Sequence, residues 1–221
     1  NGYVKEEGVS VLDLGTYNKD GVVIGRIASG AFSEGGFTSF GKDFVKLAEE
    51  YGIVLDVSHL NRESFYDFIK ISDKPFVASH SNADIGENPK GRKRNLTDEQ
   101  IKLIKERNGI IGLNFCRNFL ESDGLFGVDS FVRQLEHFLS LGCEDNIALG
   151  SDYDGCSIHS DFIGVEKLFG VYDALLQSDD INCVEFTAFL TSLRQQAATP
   201  DICRYFSHGK LLLSRRSQCG Q

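Results

Sequence analysis

The feature that most constrains the fold is a regular alternation of apolar, strand-like runs with amphipathic helical segments between residues 40 and about 178. Helices of about 10–15 residues between strands are typical of βαβ units, whose strands pair in parallel. The strand-like runs are almost continuously apolar, as expected for a sheet that helices cover on both faces. The pattern therefore predicts an α/β fold with a parallel sheet.

The strands are predicted at 9–15, 53–58, 76–79, 109–115 and 146–155, and the helices at 41–52, 62–72, 96–109, 129–142 and 162–177. Thr97 followed by Gln100 is the sequence of a capping box and marks the start of the third helix. A closed eight-stranded barrel needs about 250 residues, so five strands would be an incomplete barrel. A doubly wound open sheet has no such deficit, and periodicity does not choose between the two.

The last 41 residues differ from the rest of the chain. Residues 181–221 show no alternation, carry five Lys/Arg against two Asp/Glu and hold three of the six cysteines. We therefore divide the chain into a main segment, 1–180, and an atypical C-terminal tail, 181–221.

Charge and composition exclude several classes of protein. A net charge of −9 argues against a general nucleic-acid binder, because no basic surplus is available to meet phosphates. No run approaches the roughly 18 apolar residues of a transmembrane helix. The N-terminus shows no signal peptide and no Met, so we interpret Asn1 as the start of a trimmed or incomplete chain. The cysteines form no C-x-x-C pair and are predicted to be free thiols, which favours a reducing compartment such as the cytoplasm.

Two histidines stand directly after successive predicted strands. The runs "IVLDVSH" and "FVASH" end in Ser58-His59 and Ser79-His80. The carboxyl ends of parallel strands share one edge of a sheet, so Asn114 is expected at the same edge. Neutral imidazole is a good zinc ligand, and two rings from adjacent strand ends can converge on one ion. The alternatives are a metal site and two hydrogen-bonded structural histidines.

Two polar loops are further candidates. Asp152 and Asp154, bracketed by glycines in "GSDYDG", could be a general base, metal ligands or turn formers. The cationic loop "KGRKRN" at 90–95 is either solvated surface or a clamp for a carboxylate or phosphate. Of the remaining histidines, His137 lies in a predicted helix and is predicted to be structural. His159 and His208 have no predictable partner.

Longer stretches carry a resemblance to a known family. "GGFTSFGKDFVKLAEEYGIVLDVSHLN", "FVASHSNA", "RKRNLTDEQIKLIKERNGIIGLNF" and "IALGSDYDG" resemble, in order, spacing and local sequence, the membrane (renal) dipeptidase family of zinc peptidases. The resemblance covers about residues 1–178. It implies a (β/α)8 barrel, of the TIM-barrel type, with a two-zinc site, of which about five strands are present here.

The resemblance also implies roles for four residues. His59 and His80 correspond to ligands of the second zinc, and Arg94 corresponds to the residue that holds the terminal carboxylate of the substrate. Asp152 corresponds to the catalytic acid/base near the scissile bond. The implied substrates are small dipeptides, several family members accepting a D-residue at the C-terminal position.

The chain departs from the family at three places. The first-zinc motif, a His-x-Asp on the first strand, and the glutamate that bridges the metals belong upstream of Asn1. Tyr17 stands where some members have a substrate-contacting histidine. The closing helix of the family is not recognisable in 181–221.

Three hypotheses remain open. The first is a zinc dipeptidase lacking its N-terminal part, the second a non-catalytic or fragmentary barrel with at most weak binding of one metal ion, and the third another metal-dependent barrel hydrolase, such as an amidase or phosphoesterase. Because five of eight strands leave open edges, residues 1–221 alone are expected to self-associate or aggregate and to lack dipeptidase activity.

Overall fold

A three-stranded parallel sheet with flanking helices organises the part of the chain that the structure, a computed structural model, describes: residues 4–5, 8–9, 34–86, 91–121, 124–168 and 170–171. The strands are β1 (Val4–Lys5), β2 (Gly8–Val9), β3 (Val77–Ala78), β4 (Ile110–Leu113) and β5 (Ile147–Leu149). The sheet has the order β3–β4–β5, and both pairings are parallel. The predicted α/β class is therefore confirmed, while the eight-stranded closure is not tested by these residues.

The first two predicted strands differ from expectation. Val9 pairs antiparallel with Val4 in the β1–β2 hairpin, and the rest of the predicted strand 9–15 lies outside the described residues. The segment 53–58 forms no ladder of its own. It joins β3 through one parallel bridge between Asp56 and Val77, with Val77 N–H donating to Leu55 O at 3.0 Å. The segment still runs alongside β3, so its carboxyl end reaches the same edge of the sheet.

Four α-helices of the described residues follow predicted amphipathic segments, and the short helix Arg117–Leu120 was not predicted. The helices are α1 (Ser39–Glu50), α2 (Arg62–Ile71), α3 (Asp98–Glu106), α4 (Arg117–Leu120) and α5 (Gly127–Ser140). Side chains of Thr38 and Asn61 cap α1 and α2. The capping box of α3 is confirmed, since Thr97 and Gln100 each accept a hydrogen bond from the other's backbone N–H. These caps satisfy amide donors that an isolated helix leaves unpaired.

The predicted helix 162–177 is wrong at its start. Short 3₁₀ helices occupy Ser160–Phe162 and Val165–Lys167, and Gly164 lies between them with φ of 89°. A left-handed residue of this kind breaks an α-helix. A helical turn begins only at Leu168, and residues beyond 171 lie outside the described part, as does the tail 181–221.

Buried phenylalanines connect the sheet to the helices. Phe65 and Phe68 of α2 pack edge-on against Phe76, with ring centroids 6.1 and 4.8 Å away. On the other side, Phe115 stacks on Phe162 at 4.6 Å and meets Phe131 of α5. Burying each such ring stabilises the fold by about 1.5–3 kcal/mol. The two clusters hold the helices on the sheet and leave its carboxyl edge to polar residues.

Two glycines let the strands approach closely next to that edge. A Cβ atom built on Gly112 or on Gly150 would lie 2.1 Å from the carbonyl oxygen of Ser79. No side chain fits there without moving the backbone. These glycines therefore fix the position of Ser79, and with it the start of the loop that carries His80.

Two sequence-based expectations concern the described residues directly. Cys116, Cys143 and Cys156 are free thiols, as predicted, and the other three cysteines lie outside the described residues. Within the described ranges, no helix is long and apolar enough to cross a membrane.

Candidate active site

The two predicted metal ligands meet at the carboxyl edge of the sheet. Nε2 of His59 lies 2.8 Å from Nε2 of His80, and the ring centroids are 4.8 Å apart. His59 has φ of 75°, a left-handed conformation that turns its side chain out of the extended segment toward its partner. The matching Ser-His sequences therefore do bring both rings to one point.

Both imidazoles are held in the neutral form. Burial, reinforced by the charge of Arg94, lowers the pKa of His59 to about 2. The same two causes lower the pKa of His80, against the opposing charges of Asp152 and Asp56. A neutral imidazole keeps a lone pair for a metal ion, and two such nitrogens side by side suit ligation of one ion. The pair fits half of a tetrahedral zinc site.

The described residues do not complete that site. They contain no group of three or more His, Cys, Asp or Glu side chains that could hold a metal ion. The His-x-Asp sequence at 159–161 is not a substitute, because it does not follow a strand of the parallel sheet. Asp161 Oδ2 lies 3.2 Å from His159 Nδ1 and accepts from Val128 N–H at 3.3 Å, so this pair supports the start of α5.

Arg94 lies directly behind the histidine pair. Its guanidinium donates to Ser81 Oγ at 2.9 Å and to the His80 carbonyl at 2.7 Å, and it lies 5.6 Å from the ring centroid of Phe119. It is buried, although "KGRKRN" had a solvated loop as its simplest interpretation. Its charge reaches His59 as well, as the lowered pKa shows.

Asp152 is tied to the same edge through Asn114. The Asn114 side-chain amide donates to Asp152 Oδ2 and to the His80 carbonyl, both at 3.2 Å. Asp152 has φ of 56°. Its Oδ1 atom would lie 2.2 Å from a Cβ atom built on Gly155, so only glycine leaves room for the carboxylate there. Asp154 is exposed, with φ of 61°, as suits a turn former. Of the two acids, Asp152 is the one held at the site.

Sequence reasoning missed Asp56 and Ser79. Asp56 accepts from Ser58 N–H at 2.9 Å and from Ser79 N–H at 3.0 Å, and Ser79 Oγ lies 2.7 Å from His80 Nδ1. The sequence offered one signal for Asp56, because an aspartate side chain often accepts a hydrogen bond from the backbone N–H two residues later, here that of Ser58. The contact with Ser79 is between strands, which a single sequence does not show.

The remaining histidine prediction concerns α5. Nε2 of His137 lies 2.7 Å from Asp98 Oδ1 at the start of α3, away from the strand ends. His137 is therefore structural, as predicted, whereas His208 lies outside the described residues.

Paired histidines, a buried arginine and an anchored aspartate therefore lie together at the carboxyl edge of a parallel sheet, the edge where the functional groups of α/β folds gather. The chain belongs to the membrane dipeptidase family, peptidase family M19, whose profile matches residues 10–185.

Similar proteins agree with this assignment. An uncharacterized protein in the pqqA 5′ region of Klebsiella pneumoniae is 35% identical over 147 residues, which are 63% of this chain and 53% of the relative. An uncharacterized dipeptidase of Schizosaccharomyces pombe is 25% identical over 153 residues, 67% of this chain and 36% of the relative. The chain thus spans about half, or less, of the length of these relatives.

A solved structure is also similar. A metallopeptidase of Rhodobacter sphaeroides, bound to a phosphinate mimic of the dipeptide L-Ala-D-Ala, matches with 35% identity and a TM-score of 0.60. The match covers 69% of this chain and 44% of that protein. The described sheet and helices therefore correspond to part of a metallopeptidase fold.

Proposed function

We propose that the protein is a zinc-dependent dipeptidase that hydrolyses the peptide bond of small dipeptides, and that its complete domain is a (β/α)8 barrel. Family membership and the metallopeptidase neighbour support this proposal. The main segment, 1–180, would supply part of the barrel, and the tail, 181–221, would be a separate segment of the chain.

One observation carries the proposal: His59, His80 and Arg94 gather at one edge through direct contacts, and Asn114 joins Asp152 to them. The His80 carbonyl accepts from both Arg94 and Asn114, and Asn114 also donates to Asp152. Residues drawn from three separate loops converge there, and each carries a group that peptide hydrolysis needs.

We assign each group a role by its chemistry. His59 and His80 would hold the second of two zinc ions through their Nε2 atoms. When bound, zinc supplies Lewis-acid polarisation of the peptide carbonyl and activation of water at neutral pH. Asp152 would take a proton from the attacking water on its carboxylate and give it to the leaving amine nitrogen. Asn114 would hold that carboxylate in place.

Arg94 would fix the substrate. A planar guanidinium binds a carboxylate through two parallel N–H donors, which orients the dipeptide as well as attracting it. The ligand in the Rhodobacter protein mimics a dipeptide with a C-terminal D-residue, so dipeptides of that kind are the first substrates to test. Orientation of this sort can lower a reaction barrier by several kcal/mol.

A second candidate is favoured by one observation. Within the described ranges no group of three or more potential ligands forms around the His59–His80 pair, which suits a non-catalytic barrel that binds one ion weakly. Metal analysis separates the two proposals. About two zinc ions per chain would exclude the second candidate, and less than one would exclude catalysis by the chain as it stands.

The proposal is tested on the chain extended by whatever its gene encodes at either end. Hydrolysis of L-Ala-D-Ala and L-Ala-L-Ala is followed by amine release. Asp152→Asn should lower kcat by at least about 100-fold, because general acid/base catalysis is removed. Arg94→Lys should mainly raise KM, because the fork that holds the carboxylate is lost.

Arg117→Lys is the matched control for Arg94→Lys, because the half-exposed side chain of Arg117 pairs with Glu121 at 3.0 Å. It should leave both kinetic constants unchanged. If Arg94→Lys and Arg117→Lys behave alike, Arg94 does not bind the substrate carboxylate. Hydrolysis that persists in Asp152→Asn would exclude the role assigned to Asp152.

A further inference from the structure

We propose that Asp56, acting through the hydroxyl of Ser79, fixes His80 in the tautomer that protonates Nδ1 and leaves the Nε2 lone pair facing His59. Asp56 and Ser79 are then positioning residues, because neither would touch a metal ion or the substrate. The link to metal binding rests on the proposed function, whereas the choice of tautomer does not.

The Asp56 carboxylate is anchored from several directions. Its Oδ1 accepts the backbone N–H groups of Ser58, at 2.9 Å, and of Ser79, at 3.0 Å. Its Oδ2 accepts the Ser79 hydroxyl. Ser79 is exposed, but both its backbone N–H and its hydroxyl donate to the Asp56 carboxylate. These two charge-assisted hydrogen bonds keep the hydroxyl on Asp56 although water can reach it.

The direction of these hydrogen bonds determines where the imidazole proton sits. An aspartate carboxylate is an acceptor only, so the single proton of the Ser79 hydroxyl points to Asp56. The Ser79 oxygen must then accept from His80 Nδ1, 2.7 Å away, and Nδ1 carries a proton. A neutral ring has one N–H, so Nε2 of His80 is left with a lone pair.

The two Ser-His pairs therefore do different things, although they read alike in the sequence. The Ser58 hydroxyl accepts the backbone N–H of His80 at 3.1 Å and lies 3.2 Å from Ser81 Oγ. Ser58 holds the main chain of His80, whereas Ser79 holds its ring. Only the second contact can choose a tautomer.

Partners of this kind matter for metal affinity. A ligating histidine that donates its other N–H to a fixed acceptor has its orientation and tautomer set in advance, and loss of such a partner commonly weakens metal binding by about 10–100-fold. We call the chain of hydrogen bonds from Asp56 through the Ser79 hydroxyl to His80 Nδ1 the relay. Backbone N–H groups of Ser58 and Ser79 hold Asp56, so the position of these two segments determines the orientation of the His80 ring.

The first test reads the tautomer in the metal-free chain at pH 7.5. Two-bond ¹H–¹⁵N spectra of the histidine rings are recorded, and His80→Gln assigns the His80 signals. The wild type should show a protonated Nδ1. Asp56→Asn should invert the relay: its amide donates to Ser79, which then donates to Nδ1, so the proton moves to Nε2. A wild type protonated at Nε2, or an Asp56→Asn variant without this change, would overturn the proposal.

Two serine variants decide the question if Asp56→Asn does not fold. Ser79→Ala should give a mixture of tautomers, and Ser79→Thr, which keeps the hydroxyl, should restore the wild-type signals. The matched control is Ser130→Ala, which removes a hydroxyl that is buried in α5 and has no hydrogen-bond partner among the described residues. A Ser79→Ala spectrum identical to the wild type would refute the relay.

The second test measures zinc affinity by competition with a chromophoric chelator. Asp56→Asn and Ser79→Ala should bind zinc about 10–100-fold more weakly than the wild type, and Ser79→Thr and Ser130→Ala should match it. Equal affinities in all variants would overturn the link to the metal. If the wild-type chain, extended by whatever its gene encodes at either end, binds no zinc, the proposed function alone is refuted. The tautomer spectra would still decide the role of Asp56.

Discussion

Replacing Asn114 with alanine is the most informative single change at the site, because its side chain makes three contacts at once. Oδ1 accepts the Cys116 backbone N–H at 2.6 Å, and Nδ2 donates to Asp152 and to the His80 carbonyl. The His80 carbonyl keeps its contact with Arg94 at 2.7 Å after the change. The Cys116 amide and the Asp152 carboxylate are the groups that lose a partner.

The magnitude follows from those two losses. Leaving a buried amide unsatisfied costs about 1–3 kcal/mol, and a hydrogen bond to a charged group contributes about 1.5–3 kcal/mol. Since the Asp152 site is only partly buried, we expect Asn114→Ala to lower the free energy of unfolding by about 2–4 kcal/mol. A displaced Asp152 should also lower kcat by about 100-fold with little change in KM.

Urea denaturation and steady-state kinetics measure the two effects. Asn146→Ala is the matched control: Asn146 is also a buried asparagine whose amide donates to a carbonyl, Gly109 O at 2.9 Å, but it precedes β5 and lies at the opposite end of the sheet. It should cost about 1 kcal/mol and leave kcat unchanged. Equal effects of the two substitutions on both stability and kcat would refute the argument that Asn114 positions Asp152.

The remaining predictions concern other features of the fold. Gly150→Ala should destabilise the chain by about 1–3 kcal/mol in thermal or urea unfolding, because its Cβ would lie 2.1 Å from the Ser79 carbonyl oxygen. Gly170→Ala should be neutral, because no atom of the described residues lies within 4 Å of the added Cβ. A tolerated Gly150→Ala would show that the strands can separate. Burial raises the pKa of the Cys143 and Cys156 thiols, so both should react slowly with iodoacetamide at pH 8 in the native chain and rapidly in urea. Peptide mapping by mass spectrometry measures both rates. Equal rates in the native and the denatured chain would contradict this prediction. Because the pKa of His59 is lowered in the folded state, the unfolded chain binds a proton below about pH 6.5 that the metal-free folded chain does not. The free energy of unfolding should therefore fall by up to about 1.4 kcal/mol per pH unit on acidification, and His59→Gln should reduce this slope in urea denaturation at pH 7 and pH 5. An unchanged slope would exclude a buried neutral His59.

Much of the local structure was predictable because it depends on neighbours in the sequence. The capping box at Thr97, the amphipathic stripe of α5, and the apolar runs of β4 and β5 are all short-range patterns, and the structure confirms them. The break at Gly164 was missed because a helical period continues across it. Glycine tolerates helical angles, so its preference for φ above zero is decided only by packing around it.

The site was predictable in position and not in detail. The rule that strand ends gather functional groups brought His59 and His80 together without any structure. The contacts of Asp56, Ser79 and Asn114 run between strands, and their geometry depends on the register of the sheet. Register depends on how the strands pair in the folded chain, so it could not be predicted from this single sequence.

The backbone at His59 and Asp152 has a consequence for how such a sequence changes under selection. Both residues have left-handed φ angles, 75° and 56°, which glycine adopts freely and other residues adopt at a cost of about 1–2 kcal/mol. A library selected only for heat resistance should therefore enrich glycine at these two positions and lose the side chains that define the site. Asn108, with φ of 53° just after α3, should also drift toward glycine in that library. In natural relatives only the first two positions should resist the change, and only where the chemistry still contributes to fitness.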